Sequence, residues 1–394
     1  MNQTTTIAIV LGLLLIPNAI VSMSTISKSG ATAAMVETHT RAGEEALTAE
    51  KFERAEAAFR MALSIDSTSE AGQQGLARTQ AHRITSREES VSRSDAISLG
   101  YIFELALKND AKHAEVYQVG LGLVTTALGD KEGAKAWFDK ATASKSASSA
   151  AWMARGNFEI GQKDLTAASA SLAKAVALDD KNGKAKLGYG IVLKRQKKYA
   201  EAVAQLQKAT SALPGPKAWY ELGDSFLRDS KFEPAYNAFV SAAKVHPNVN
   251  KEPSLLKRLG VTAYRLKKYQ EAIGYLTQAT QVDKDPEVAL NLGIAYQGAG
   301  NHTSAAQQLS KVVQQRPAHA EARAYLMKSL VQINQIDAAR KIGRQYLVLA
   351  QNRPAMKPGA QIITNMLGQL KGAPSKTTRP SGKPQPQAAP PAAQ

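Results

Sequence analysis

Bulky and small apolar residues recur along the chain with a period of about 34 residues. The clearest marker is an alanine that follows a bulky apolar residue by three positions. The marker alanines are Ala141, Ala175, Ala209, Ala242 and Ala279, and they follow Phe138, Leu172, Leu206, Phe239 and Leu276. Successive alanines are separated by 34, 34, 33 and 37 residues. This period indicates stacked helix pairs, in which each pair packs mainly against its neighbours.

The clearest copy of the pattern covers residues 217–247. It carries a tryptophan, a glycine, a proline and bulky or small apolar residues at eight signature positions: Trp219, Leu222, Gly223, Phe226, Ala235, Phe239, Ala242 and Pro247. This segment resembles the tetratricopeptide repeat family, and the resemblance recurs with losses over roughly residues 36–350. It implies an all-α solenoid of helix-turn-helix units wound as a right-handed superhelix.

Each signature residue has a packing role. Glycine at the eighth position and alanine at the twentieth let the two helices of a repeat approach closely. Alanine at the twenty-seventh position does the same for the first helix of the next repeat. Proline at the end stops the second helix, and we expect this role for Pro214, Pro247 and Pro317.

Within a solenoid over residues 36–353, the pattern predicts nine repeats. Their approximate bounds are 36–69, 70–114, 115–148, 149–182, 183–215, 216–249, 253–286, 286–319 and 320–353. Repeat 70–114 is degenerate because the segment RITSREESVS adds about ten residues, which we expect to lengthen a helix or form a loop. Repeat 320–353 is also degenerate. It has Met327 where glycine is expected and Gly343 where a bulky residue is expected, so we expect loose or atypical packing there.

The two ends of the chain differ from the repeats. Residues 7–21 are apolar except for Asn18, and Pro17 interrupts the run, so residues 1–24 resemble a secretory signal peptide. An uncleaved membrane anchor and a buried core helix are the alternatives. Residues 354–371 have an apolar stripe at helical spacing and are expected to form a capping helix. Residues 372–394 are rich in proline and are expected to be disordered.

Positive charge is concentrated in two parts of the chain, whose formal net charge is +17. Between Gly183 and Lys268 there are 17 Lys and Arg against 6 Asp and Glu. From Ala338 to the end there are 9 basic residues and no acidic ones. The excess is therefore local, and a local field of one sign indicates a partner of the opposite sign at that place.

Catalytic chemistry is not indicated. The chain has no cysteine, which excludes disulfides, thiolate metal sites and cysteine nucleophiles. Its 6 histidines do not occur at metal-binding spacing with carboxylates, and neither a phosphate-binding glycine-rich loop nor a nucleophile elbow is present. We therefore expect a protein that is not an enzyme and needs no metal or cofactor.

The resemblance to the tetratricopeptide family also implies where a partner would bind. In that family, positions 2, 5, 6, 9, 12 and 13 of the first helix line the concave groove. These positions carry eight cations, two aromatic residues and an amide in the basic repeats: Lys184, Lys194, Arg195, Lys217, Tyr220, Arg228, Lys257, Arg258, Tyr264, Arg265 and Asn291. This lining resembles a carboxylate clamp, although Glu221 and Asp224 intrude, so the expected partner is an acidic or C-terminal peptide segment.

A second basic row is predicted at the turns between paired helices, at Lys197, Lys198, Lys231, Lys267 and Lys268. The structural alternative is that these cations only keep an alanine-rich surface soluble. The leading interpretation is a bacterial scaffold, exported or anchored in the inner membrane. Proteins of this kind resemble assembly factors of pili, secretion systems or exopolysaccharide export. Binding of nucleic acid along the basic face, and of polysaccharide or cell wall by the tail, are the alternatives.

Overall fold

The computed structural model describes residues 30–86, 91–246 and 248–371. The predicted leader, residues 1–24, and the predicted tail, residues 372–394, lie outside the described residues, as does Pro247. Within the described ranges, the regular elements are nineteen α-helices and three short 3-10 helices, with no strand. In these ranges, no helix has both the length and the apolar character required to cross a membrane.

The chain divides between Pro214 and Gly215 into two compact units. The helices of unit 1 are α1 (Gly30–Thr48), α2 (Phe52–Ile65), α3 (Glu70–Ser86), α4 (Arg93–Asn109), α5 (Ala114–Leu128), α6 (Lys131–Thr142), α7 (Ser149–Gly161), α8 (Leu165–Leu178), α9 (Gly183–Arg195) and α10 (Tyr199–Ala212). A 3-10 turn, Ala111–His113, precedes α5. In unit 1, α1 pairs with α2, α5 with α6, α7 with α8 and α9 with α10.

Unit 2 is also built from helix pairs. Its helices are α11 (Pro216–Arg228), α12 (Phe232–Val245), α13 (Pro253–Arg265), α14 (Tyr269–Val282), α15 (Pro286–Gly298), α16 (His302–Gln315), α17 (Ala320–Gln332), α18 (Ile336–Ala350) and α19 (Lys357–Gln369). The 3-10 turns Val249–Lys251 and Pro354–Met356 precede α13 and α19. Helices α11 to α18 form four pairs, and α19 packs on α17 and α18. The expectation of an all-α array of helix pairs is confirmed.

Local sequence explains where the helices begin and turn. Proline is the first residue of α11, α13 and α15, where its missing N–H would have no helical partner. The Asp130 carboxylate caps α6 by accepting a hydrogen bond from the Gly133 N–H at 2.9 Å. The turns inside the pairs contain a left-handed residue, such as Gly129 with φ of 88° and Gly300 with φ of 78°. These turns reverse the chain so that the two helices of a pair lie antiparallel.

Close contact within a pair depends on a glycine in the first helix and a bulky residue in the second. A Cβ atom on Gly223 would lie 2.7 Å from the ring of Phe239, which is much closer than van der Waals contact. The same contact occurs in six other pairs, at Gly43 and Phe59, Gly122 and Phe138, Gly156 and Leu172, Gly190 and Leu206, Gly260 and Leu276, and Gly293 and Leu309. These bulky residues are buried, so glycine and the side chain opposite it form one packing unit in each pair.

In the pair α17 and α18, the large residue lies in the first helix and the glycine in the second. Met327 of α17 is 0% exposed, and its terminal methyl would lie 3.0 Å from a Cβ atom on Gly343 of α18. Of the two alternatives expected for this repeat, the packing is atypical and not loose, because the large and the small residue have exchanged helices and still fill the space. A Cβ atom on Gly343 would also lie 2.9 Å from the Leu367 side chain of α19.

Repeat 70–114 departs from the common arrangement. Helix α3 runs to Ser86 and is 17 residues long, so part of the extra segment lengthens the helix. Helix α4 packs mainly against α5, and its contact with α3 is much smaller than the contacts within the other pairs. Helices α3 and α4 therefore diverge and leave a cleft between them.

Candidate binding face

The first helices of successive pairs contact one another within each unit and form a face on which the predicted residues lie. In unit 1 this applies to α5, α7 and α9, and in unit 2 to α11, α13, α15 and α17. Lys184, Lys194 and Arg195 belong to α9, and the other predicted residues belong to α11, α13 and α15. The two sets are described separately below.

The three predicted residues of α9 do not cluster. Lys184 lies in the first turn of the helix and Arg195 is its last residue, so at 1.5 Å per residue they are about 16 Å apart along the axis. The Nζ atom of Lys184 donates a hydrogen bond to the Ser86 carbonyl at 3.0 Å. Lys194 is half-buried, whereas Arg195 is exposed. In unit 1, the extension of α3 thus contacts one end of the predicted site.

A buried carboxylate organises the basic residues of unit 2. Asp224 of α11 is 2% exposed, and its Oδ2 lies 3.0 Å from Nε of Arg228. Its Oδ1 lies 3.0 Å from Nη2 of Arg258 on the neighbouring first helix, α13. Because one buried charge holds two guanidinium groups, Asp224 links the first helices of adjacent repeats and fixes both cations. The sequence identified Asp224 only as an intruding acid.

The same two helices, α11 and α13, also carry Lys217, Tyr220 and Lys257. Lys217 is exposed in the first turn of α11, and Lys257 is half-buried beside Arg258. Tyr220 is half-buried, with its ring edge-to-face with Phe239 at a centroid distance of 5.7 Å. Tyr220 therefore serves packing within the pair as well as lining the face.

An aromatic group lies next to Arg265, at the end of α13. The rings of Tyr264 and Tyr269 are 5.8 Å apart. Tyr325 of α17 belongs to the same aromatic group, since its pKa depends on the charges of Tyr264 and Arg265. Burial and the charges of Glu321 and Tyr264 raise the pKa of Tyr325, and the charge of Arg265 opposes this rise. Tyr325 was missed, although it occupies the sixth position of its repeat, one of the positions that line the groove in the family.

Asn291, the predicted amide of α15, is half-buried, and its Nδ2 donates a hydrogen bond to the Glu287 carbonyl at 2.9 Å. The next turn of α15 presents Gln297, whose Nε2 donates to the Tyr325 carbonyl at 3.1 Å and to Ser329 Oγ at 2.8 Å. These amide contacts connect α15 to α17 and complete the uncharged end of the face.

Three predicted arginines share one structural position. Arg195, Arg228 and Arg265 are the last residues of α9, α11 and α13. A cation in the last turn is favoured by the partial negative charge at the helix C-terminus, which typically contributes 0.3–1 kcal/mol. Helix stability therefore accounts for part of this basic character, independently of any partner.

The second basic row also has local structural roles. Lys197 and Lys267 are the left-handed residues of their turns, with φ of 63° and 61°. Lys231 Nζ lies 2.9 Å from Asp229. Lys268 Nζ lies 3.3 Å from Glu233 and 4.4 Å from the centre of the Tyr236 ring. These contacts favour a structural role for this row over a binding role.

Unit 1 contains a polar network that the sequence did not indicate. The Asp110 carboxylate, 7% exposed, accepts a hydrogen bond from the Tyr117 hydroxyl at 2.8 Å and lies 2.9 Å from Nδ1 of His113. Arg78 lies between this carboxylate and Glu44 of α1, so the network joins three first helices. Burial alone would raise the pKa of Asp110, but the hydrogen bonds and the charges of His113 and Arg78 lower it. Burial and Asp110 raise the pKa of Tyr117.

The described residues contain no group of three or more His, Asp or Glu side chains arranged to hold a metal ion. The helix pairs and their glycine contacts define a helical repeat protein of the class that offers extended binding surfaces. Two models of the tetratricopeptide repeat family match the sequence, one over residues 159–222 and 296–358 and the other over residues 220–289. The chain is therefore a member of the tetratricopeptide repeat family.

Several solved structures are similar to this chain at low sequence identity. A monomeric mutant of IFIT1 with m7Gppp-AAAA is 16% identical, with a TM-score of 0.51 over 80% of this chain and 72% of that chain. YrrB, described as a TPR protein with an unusual peptide-binding site, is 22% identical, with a TM-score of 0.44 over 47% of this chain and 95% of its own. PilF of Pseudomonas aeruginosa is 22% identical, with a TM-score of 0.47 over 55% of this chain and 98% of its own. Among curated proteins, none matches the sequence.

Proposed function

We propose that the protein is a non-enzymatic scaffold that binds an acidic or C-terminal peptide segment of a partner protein on the basic face of α11 and α13. Tetratricopeptide folds serve protein interaction, which supports a protein partner. The face carries Lys217, Arg228, Lys257, Arg258 and Arg265, against the acidic residues Glu221 and Asp224.

The buried Asp224 carboxylate is the observation that carries this proposal. It lies 3.0 Å from each of two guanidinium groups and restricts their rotamers before any ligand arrives. A guanidinium has five N–H donors, and Asp224 faces only one edge of the Arg258 guanidinium, so this group can also bind a carboxylate of the partner. Since the cations outnumber the acids on the face, the remaining field attracts acidic segments and repels basic ones.

The partner that we propose belongs to an envelope assembly, such as a pilus, a secretion system or an exopolysaccharide exporter, and the chain itself is exported or tethered to the inner membrane. The apolar run at residues 7–21 supports export. The mature N-terminus, determined by mass spectrometry of the protein from its native host, tests this part. An intact cytoplasmic chain that begins at Met1 would contradict it.

The binding face can be tested with a fluorescein-labelled peptide of six glutamates and a second peptide of six lysines. Fluorescence anisotropy is expected to show that the full chain binds the glutamate peptide and that affinity falls as salt rises. The double variant Lys257→Glu and Arg265→Glu is expected to weaken binding at least tenfold, because it changes the charge of the face by four.

A matched control separates this face from the net charge of the chain. Lys244 and Lys311 lie on the second helices α12 and α16, and the double variant Lys244→Glu and Lys311→Glu changes the net charge by the same amount. It is expected to retain most of the affinity for the glutamate peptide. Equal losses in the two double variants would show that binding depends on total charge and would overturn the assignment of the face.

A further inference from the structure

A basic groove with a volume of about 750 Å³ runs along one face of α18 in unit 2. Its lining residues on α18 extend from Asp337 to Leu349, which is about 18 Å at 1.5 Å per residue. Helix α17 contributes one residue, Arg323. Most of the cations in this groove belong to the second part of the chain in which positive charge is concentrated, since no acidic residue follows Asp337 in the sequence.

The charge of the groove is only partly balanced by the protein. Its lining contains four cations and one acid: Arg323, Arg340, Lys341, Arg344 and Asp337. Nη1 of Arg340 lies 3.0 Å from Oδ1 of Asp337, and its Nη2 donates a hydrogen bond to the Leu370 carbonyl at 2.8 Å. Among the described residues, no ion pair neutralises the other three cations. The groove therefore has a net positive field that attracts an anion.

Arg323 is a buried cation in this groove, with 4% of its surface exposed. Its Nε donates a hydrogen bond to the Pro317 carbonyl at 2.9 Å and its Nη1 to the Ile342 carbonyl at 2.8 Å, and its guanidinium lies 5.8 Å from the centre of the Tyr346 ring. These partners are neutral. Burial lowers the pKa of Arg323, and no carboxylate offsets this effect. Buried charges are normally paired, so an anion in the groove would supply the missing opposite charge.

One nitrogen of Arg323 remains open to a ligand. Within the described part of the chain, Nη2 makes no hydrogen bond, and it does not belong to the fully buried atoms without a partner. Since Arg323 lines the groove, this accessible nitrogen can be reached from it. Arg323 can therefore donate a hydrogen bond to an anion in addition to its two bonds to the backbone.

Two exposed cations lie beside this buried one. Lys341 and Arg344 are three positions apart on α18, so their side chains are neighbours on one face of the helix. The carbonyl that binds Nη1 of Arg323 belongs to Ile342, which lies between them in the sequence. The three cations therefore converge on the same turn of α18.

Three convergent cations suit a phosphate monoester better than a carboxylate. A phosphate monoester carries a charge of about −1.5 to −2 at pH 7 and three acceptor oxygens, whereas a carboxylate carries one charge and two oxygens. A guanidinium can bind two phosphate oxygens through a pair of parallel N–H groups. One phosphate can contact all three cations, whereas one carboxylate would leave a cation without a partner.

The length of the groove and its apolar end favour a peptide as the carrier of the phosphate. A groove of about 18 Å accommodates an extended segment of about five residues. Val348 is 65% exposed and lies one turn beyond Arg344, which is about two residues along an extended segment. Inorganic phosphate would leave this apolar end empty, and a flat membrane surface does not enter a concave groove as far as Arg323.

We propose that this groove binds a phosphorylated segment of a partner protein, with the phosphate group between Arg323, Lys341 and Arg344 and an apolar side chain of the segment on Val348. The site goes beyond the binding of an acidic segment on the basic face of α11 and α13. It lies mainly on a second helix, and it selects a phosphate group in preference to a carboxylate.

Three fluorescein-labelled octapeptides test the site on the full chain. They carry phosphoserine, serine or glutamate at the centre and leucine two positions later, and their dissociation constants are measured by fluorescence anisotropy at about 0.15 M salt, where the screening length is about 8 Å. The phosphoserine peptide is expected to bind at least tenfold more tightly than the serine peptide and about fivefold more tightly than the glutamate peptide. No binding of the phosphoserine peptide, or equal binding of the phosphoserine and glutamate peptides, would overturn the proposal.

The double variant Lys341→Gln and Arg344→Gln is expected to weaken the phosphoserine peptide at least tenfold, because it removes two of the three cations. Both side chains are exposed, so the fold is retained. Lys311 on α16 and Lys328 on α17 are also exposed and do not line the groove. The matched control Lys311→Gln and Lys328→Gln removes the same charge and is expected to leave the dissociation constant within twofold. Equal losses in the two double variants would overturn the assignment of the groove.

The apolar end is tested by replacing the leucine of the phosphoserine peptide with glycine. This change is expected to weaken binding to the parent chain about threefold and to have no effect on binding to the variant Val348→Ser, because the leucine contacts Val348. An equal effect of the change in both chains would contradict this placement of the segment.

Other sites and carriers give distinct results. The variant Lys257→Glu and Arg265→Glu, which alters the basic face, is expected to leave the phosphoserine peptide within threefold of the parent value, and a larger loss would place the phosphate on that face. Inorganic phosphate that displaces the peptide at an equal dissociation constant would show a site for the anion alone. Vesicles of phosphatidylcholine and phosphatidylserine that bind the parent chain and release the Lys341→Gln and Arg344→Gln variant, without binding of the peptide, would show a lipid site. Each of these three results would overturn the proposal.

Discussion

Replacing the buried carboxylate of Asp224 by an amide, Asp224→Asn, is expected to lower the free energy of unfolding by about 2 kcal/mol. Removing one partner of a fully buried ion pair typically lowers this free energy by 3–5 kcal/mol, because the remaining charge stays unpaired and dehydrated. Here the side chains of Arg228 and Arg258 are 48% and 32% exposed, so water can solvate them after the change. The effect should therefore fall below that range.

Asp229 provides the matched control on the same turn. Its carboxylate is 29% exposed and lies 2.9 Å from Nζ of Lys231, which is itself half-exposed. Exposed pairs of this kind contribute about 0.2–1 kcal/mol, so Asp229→Asn is expected to have less than half the effect of Asp224→Asn. Both variants remove one negative charge, but Asp224 is buried beside two arginines whereas Asp229 is partly exposed beside one lysine.

Hydrogen exchange of the amides in α11 and α13 is the appropriate measurement, since repeat arrays need not unfold in one step. Asp224→Asn is expected to reduce protection in both helices, because Asp224 joins them. Equal protection in the two variants would refute the argument that Asp224 organises the basic face.

The remaining predictions concern packing and pH. Gly260→Ala should lower the free energy of unfolding by about 1–3 kcal/mol, because the added methyl would overlap Leu276. Gly274 lies in the same pair but is open to solvent, so Gly274→Ala should raise the free energy of unfolding by about 0.5–1 kcal/mol. Urea unfolding of both variants is the measurement, and a change of the same sign in both would contradict the packing argument. Burial and the charge of Arg78 lower the pKa of His82 in the folded chain below 6.5. The unfolded chain therefore binds more protons than the folded chain at pH values below 6.5, so the free energy of unfolding should fall as the pH drops through this range. His82→Phe should remove this slope in urea unfolding between about pH 7.5 and about pH 5.5, and an unchanged slope would assign it to other groups.

The helix pairs could be predicted from single residues because their spacing is a local property of the sequence. A glycine such as Gly223 and a bulky residue such as Phe239, sixteen positions later, fix both helices and the turn between them. The pair α17 and α18 departs from this rule. Met327 and Gly343 depart from the pattern individually but compensate in space, and a position-by-position comparison cannot detect a compensating exchange.

The candidate site was predictable only in part. The sequence identified the cations of α11 and α13 from their positions in the repeat, and the family resemblance assigned them to one face. It could not show that Asp224 is buried between Arg228 and Arg258, because that contact joins residues more than thirty positions apart. Burial of a charge depends on neighbouring helices, and the sequence pattern of one helix does not contain it.

The sequence by itself determined the helical repeat, its glycine and alanine contacts and the local excess of positive charge, since each follows from the spacing and type of nearby residues. Only the tertiary structure decided that α4 packs mainly against α5 and has little contact with α3, which opens the cleft beside Gln80. The physical reason is that helix pairing is a competition between alternative partners of similar apolar surface. Its outcome depends on how complete side chains fit together in three dimensions.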